Sequence, residues 1–124
     1  MLSDRPAFSS FSADDIAAAR SFYEGTLGLT VTEENGMLML DLAGNQRVLI
    51  YPKEDHAPAT FTVLNFEVDD IEASVDELSG HGVAFQRYEG FAQDDRGIMR
   101  GFGPPIAWIT DPAGNVLALI QSGG

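Results

Sequence analysis

The chain contains no cysteine, which removes disulfides, thiolate metal sites and cysteine nucleophiles and agrees with a reducing compartment. Positive charge is scarce: 7 Lys and Arg stand against 19 Asp and Glu, for a net charge of −12. Such a field repels phosphate backbones, so nucleic acid is not an expected partner, and a cationic or neutral ligand is electrostatically easier. The same acidity also serves solubility, whatever the site. No apolar run approaches membrane-spanning length, so no membrane partner is expected. The opening Met1-Leu2-Ser3-Asp4-Arg5-Pro6 lacks a basic stretch followed by an apolar core, and the expected location is cytoplasmic.

What is present describes one folded domain. The 124 residues are 44% hydrophobic with ordinary glycine and proline counts, enough for a single core but not for two independent ones. Two segments recur. Ala13-Asp14-Asp15-Ile16 returns as Val68-Asp69-Asp70-Ile71, and Asp41-Leu42-Ala43-Gly44-Asn45 returns as Asp111-Pro112-Ala113-Gly114-Asn115. The second pair is spaced more widely than the first, so the later copy carries an insertion around Tyr88 to Pro105. Internal repetition implies a duplicated module whose copies complete their cores by packing together.

Each copy reads as β-α-β-β-β. In the first, a strand over Phe8 to Phe11 precedes Ser12, read as an N-cap with Asp15 as its capping-box partner. Apolar residues Ile16, Ala19, Phe22, Tyr23 and Leu27 follow at helical spacing, and Gly28 supplies the stop. Strands then fit Thr30–Glu33, Met37–Leu42 and Arg47–Tyr51, reversed at Glu34-Asn35-Gly36 and Ala43-Gly44-Asn45. In the second copy, Thr62–Val68 alternates: Leu64, Phe66 and Val68 take one face, Val63, Asn65 and Glu67 the other. Asp69 with Glu72 reads as cap and box partner for a helix carrying Ile71, Val75 and Leu78, ending near Gly80 or Gly82. Strands are expected at Val83–Tyr88, Gly97–Arg100, Ile106–Thr110 and Val116–Gln121. The organisation is a single domain over 1–124, with module one at 7–53, a linker at 54–60 around His56-Ala57-Pro58-Ala59, and module two at 61–121.

Three segments in this order resemble the vicinal oxygen chelate superfamily, which includes glyoxalase I, extradiol dioxygenases, fosfomycin-resistance and bleomycin-resistance proteins. They are Asp15-Ile16-x3-Arg20-Ser21-Phe22-Tyr23-x3-Leu27-Gly28-Leu29, Phe66-Glu67-Val68-Asp69-Asp70-Ile71, and Ala107-Trp108-Ile109-Thr110-Asp111-Pro112-Ala113-Gly114-Asn115. The resemblance implies an α+β fold in which two β-α-β-β-β modules form a curved, incompletely closed mixed sheet with helices on the outer face. It also implies that metal ligands, where a member has them, come from the first and last strand of each module. Matched by motif, those positions are Phe8, Val48, Val63 and Ala118, which offer hydrocarbon where a divalent cation needs imidazole, carboxylate or carbonyl donors. No metal and no other cofactor are therefore expected there.

The remaining candidates are few. His81 follows the second helix, where a cation suits the helix dipole. His56 lies in the linker, as a solvated loop residue or as a lid residue or general base. Glu67 shares the parity of Val63 and Asn65, and either meets a cationic group or sits in water. Asp14, Asp15, Asp69 and Asp70 are explained as helix-start charges. Phe8, Val48, Ile50, Phe61, Val63 and Ala118 would line a mostly dry pocket with Ser10 and Asn65 as its polar points. Trp108 would close it together with Met37, Met39, Phe91, Met99 and Phe102. These side chains would otherwise simply fill the interior. The expected function is metal-independent binding of a small, partly apolar organic molecule by a homodimer. The alternative is a glyoxalase-type lyase, isomerase or dioxygenase with an unconventional metal site or metal-free acid–base chemistry through His56 or Glu67.

Overall fold

In the computed structural model, which describes residues 1–122, the chain divides into two compact units after His56. The first holds β1 (Ser9–Ala13), α1 (Ile16–Arg20), β2 (Thr30–Glu34), β3 (Met37–Leu42) and β4 (Gln46–Pro52). The second holds β5 (Thr62–Val68), α2 (Ile71–Gly80), β6 (Ile106–Thr110) and β7 (Val116–Gln121). The α+β class and the β-α-β-β-β order of the first unit agree with the sequence. No described helix is long and apolar enough to cross a membrane.

The first sheet has the order β1-β4-β3-β2, with β1 parallel to β4 and the other pairs antiparallel. The β2–β3 reversal places Asn35 and Gly36 at φ of 55° and 76°, the pair of left-handed residues that a type I′ hairpin turn demands. Phe11, Val31, Leu38, Leu40, Val48 and Ile50 are buried, as are Ala19 and Tyr23 of the helical segment. At roughly 1.5–3 kcal/mol for each large apolar side chain removed from water, this layer dominates the unit's stability. After Arg20 the helix widens into a π turn over Ser21–Thr26, with Leu27 N–H bonding to Phe22 O at 2.9 Å. Gly28, at φ 73°, then ends it.

The helix caps fall later than the sequence reading placed them. β1 runs on through Ala13, so Ser12 is still in the sheet, and Asp15 Oδ1 accepts from Ala18 N at 3.0 Å. In the second unit Asp70 Oδ1 accepts from Ala73 N at 3.2 Å, and Asp70 takes the role given to Asp69.

The second sheet has the order β5-β7-β6, with β5 parallel to β7. Ile71, Val75, Ile98, Ala107 and Leu119 form its buried cluster, flanked by Phe66, Val68, Leu78 and Phe85. The strands expected at Val83–Tyr88 and Gly97–Arg100 do not form. Residues 83–88 are irregular, and the later segment reaches the sheet through the isolated bridge Met99↔Ile106, with Gln93 bridged in turn to Met99. Side chains replace the missing ladder. Gln93 accepts from Tyr88 N at 2.8 Å and donates to Gln86 O and Gly97 O at 2.9 and 2.7 Å.

Candidate functional site

Sheet register decides which side chains share a face, because successive residues alternate and paired residues align. In the second unit, Asn65, Ala118 and Trp108 form one row across β5, β7 and β6. Glu67, Ile120 and Ile106 form the next row on the same face. The opposite face carries Phe66, Leu119 and Ala107 toward α2. Asn65 and Glu67 thus share a face, as their parity implies, and Ala118 and Trp108 stand on it too. Val63 falls at an irregularity between Thr62 and Leu64 and is half-buried, while Phe61 lies just before β5 and is exposed.

Trp108 anchors an aromatic cluster on this face. Its ring centroid lies 5.4 Å from Tyr88 at 82° and 5.4 Å from Phe91 at 42°, and Tyr88 meets Phe91 at 5.7 Å. The bond from Gln86 N to Trp108 O, 2.8 Å, ties the irregular segment to β6 and brings Tyr88 over the indole. Trp108 is buried and Ala118 fully so, whereas Phe91 remains 48% exposed. The cluster therefore has one accessible aromatic face. Burial pushes the Tyr88 phenol above its ordinary value, so it stays protonated and neutral through the physiological range. Tyr88 was read in the sequence only as a strand end; its role depends on the loop that follows it.

The first unit departs from the expected site. Val48 pairs with Leu40 and Ile50 with Leu38 and Phe11, so both lie in the buried rows. They do not share a face with Ser10. Ser10 aligns instead with Leu49, Met39 and Thr32, and Ser12 with Tyr51. The cause is the repeated turn. Leu42 pairs with Gln46, centring the first hairpin on Gly44, whereas Thr110 pairs with Val116, centring the second on Ala113, one residue earlier in the shared motif. A one-residue displacement reverses every side chain. Phe8 is exposed ahead of β1, with the Arg47 guanidinium 5.8 Å from its ring centroid.

His56 has a specific partner. Its Nδ1 lies 2.6 Å from Ser12 Oγ, while its backbone N–H donates to Lys53 O at 3.1 Å. The extension of β1 to Ala13 positions Ser12, and the turn after β4 delivers His56. His81 is exposed after α2.

Among the described residues, no group of three or more His, Asp or Glu side chains is placed to hold a metal ion. The motif-matched positions Phe8, Val48, Val63 and Ala118 carry only hydrocarbon side chains. This donor chemistry does not fit a resident divalent cation.

The family model of the Glyoxalase/Bleomycin resistance protein/Dioxygenase superfamily matches residues 8–119. The chain belongs to this superfamily. Among solved structures, a glyoxalase family protein from Bacillus anthracis is 19% identical, with a TM-score of 0.73 over 95% of this chain and 96% of its own. TnmS3, an antibiotic binding protein from Streptomyces sp. CB03234, is 21% identical, with a TM-score of 0.68 over 95% and 97%. A bleomycin-binding protein solved in complex with bleomycin is 21% identical, with a TM-score of 0.66 over 95% and 98%. At these identities the likeness concerns the superfamily fold. No curated protein matches the chain by sequence.

Proposed function

We propose that this superfamily domain binds a small, partly apolar organic molecule without a resident metal, and that the Trp108 face of the second unit is its principal contact surface. The observation that carries the reading is Trp108 standing in one row with Ala118 and Asn65 while Tyr88 and Phe91 pack on it. An aromatic surface with one open ring, an amide and a nearby carboxylate suits a flat ligand with a polar or cationic end. Glu67 in the adjacent row and the net charge of −12 favour the cation. Phe61 and Val63 are proposed to contribute only peripherally, while Val48 and Ile50 serve as packing within the first unit and Ser10 takes no part in this surface. The bleomycin-binding and antibiotic-binding neighbours add weight to a sequestering role.

Trp108 is the sole tryptophan, so its fluorescence reports directly on this face. Titration with metal-free bleomycin, and separately with ethidium as a planar cation, should quench or shift the emission with a Kd on the order of micromolar, about −8 kcal/mol. Chelator should leave the curve unchanged. Phe91→Ala should weaken binding about tenfold, corresponding to about 1.4 kcal/mol from a half-exposed stacking partner. If neither probe perturbs Trp108, the assignment of this face fails.

A further inference from the structure

We propose that Ser12 and His56 form a nucleophile–base pair that hydrolyses small esters with an apolar acyl group, an activity separate from binding at the Trp108 face. A serine hydroxyl is a weak nucleophile unless a base lies within hydrogen-bond reach. Ser12 Oγ and His56 Nδ1 meet that condition at 2.6 Å. With His56 protonated at Nε2, Nδ1 is the acceptor and the serine hydroxyl donates to it.

Two further features of the first unit fit an acyl substrate. Tyr51 is the register partner of Ser12 and stands on the same face, so its phenol is the neighbouring donor available to a developing oxyanion. Farther across the same sheet face, Met37, Met39, Leu49 and Thr32, with Glu34 and Asn35, line a depression of about 160 Å³ that Ser12, Tyr51 and His56 adjoin in the sheet order but do not themselves line. That volume suits a short acyl chain, and the methionines adapt to its shape.

The reaction balances with water as the only co-reactant. Ser12 Oγ attacks the ester carbonyl carbon as its proton passes to His56 Nδ1. The carbon–oxygen bond to the leaving alcohol then breaks, and that alcohol takes the proton from His56. Water next attacks the acyl-serine, giving one proton to His56, and the acid departs as Ser12 recovers its hydrogen.

The wild-type protein, treated with an alkyl fluorophosphonate and analysed by intact mass and peptide mapping, should carry one adduct, located on Ser12. Ser12→Ala should abolish the adduct, and His56→Gln should slow its formation about a hundredfold. Hydrolysis of p-nitrophenyl butyrate should follow the same pattern, with Tyr51→Phe lowering kcat at least tenfold and leaving KM nearly unchanged. The proposal is overturned by an unmodified wild-type protein, by an adduct at any other residue, or by ester turnover in Ser12→Ala equal to wild type. The wild-type adduct needs no variant to fold, and none of these outcomes depends on whether Trp108 binds a ligand.

Discussion

The two units carry related sequence but hold themselves together differently. In the first, four strands complete a continuous ladder, and its turn aspartate, Asp41, lies in β3 as an exposed partner of Arg47. In the second, three strands form the sheet and the segment from 81 to 105 is held by scattered backbone bonds together with the Gln93 side chain. Asp111, the counterpart of Asp41, is buried: Oδ1 accepts from Ala113 N and Asn115 N at 2.9 and 2.8 Å, and Oδ2 accepts from Asn115 Nδ2 at 3.0 Å. A motif shared in sequence therefore performs structural work in only one copy. The physical difference is burial, since an unmet donor costs little in water and about 1–3 kcal/mol inside a protein.

The comparison breaks most sharply at these aspartates. Asp111→Ala should destabilise the protein by about 3–4 kcal/mol in urea unfolding, because it strands several buried donors at once. Asp41→Ala should stay within about 0.5 kcal/mol of wild type, as an exposed substitution does. Equal losses at the two positions would contradict the asymmetry.

A smaller effect is expected at Gln93, whose amide bonds three backbone groups of the irregular segment. Gln93→Ala should cost about 2 kcal/mol and speed hydrogen exchange between residues 83 and 99, leaving β3 and β4 protected. The first unit has no equivalent dependence, since its strands bond through the backbone.

The smallest effect concerns pH. The hydrogen bond from Arg96 holds the Asp76 carboxyl below its usual range. Burial opposes ionisation of Asp94, but bonds from Ile98 N, the Arg100 guanidinium and Arg96 N outweigh it and lower that group too. Their stabilisation is complete above the unfolded aspartate value of about 4 and fades as pH falls through the lower folded values. Acidification should therefore loosen the 94–100 segment before the first sheet, as read by amide exchange. Arg96→Met should flatten that response. Because the Arg96 and Asp76 side chains are largely exposed, salt should weaken the effect as well.

Much of the local structure was legible from alternation and turn chemistry. Thr62–Val68, Ile106–Thr110 and Val116–Gln121 occupy the residues expected: the first from its alternation, the other two as short apolar runs, buried at three consecutive residues each, on either side of the Asp111–Asn115 turn. Val83–Tyr88 has similar composition but finds only one backbone bond to β6, from Gln86 N, so its apolar pattern never becomes a strand. The site was legible in part. Parity places Asn65 and Glu67 on one face, and the motif match and the closing role expected of Trp108 bring Ala118 and Trp108 to the same rows, while the approach of Tyr88 depends on the return of a loop that no periodicity encodes. The pairing of Ser12 with His56 joins residues 44 positions apart, and no local spacing announces it.

The sequence alone determined the duplicated α+β plan, the acidic field, the absence of thiol chemistry and the hydrocarbon at the motif-matched ligand positions, since these follow from residue identity and short-range pattern. Tertiary structure decided which hairpin centres on its glycine and which one residue earlier, and with that choice the faces of Val48 and Ile50. The reason is cooperative: strand register is selected by the whole set of cross-strand bonds and buried side chains, and the two motifs, alike at four of five positions, differ where Leu42 continues β3 and Pro112, without an N–H, does not continue β6.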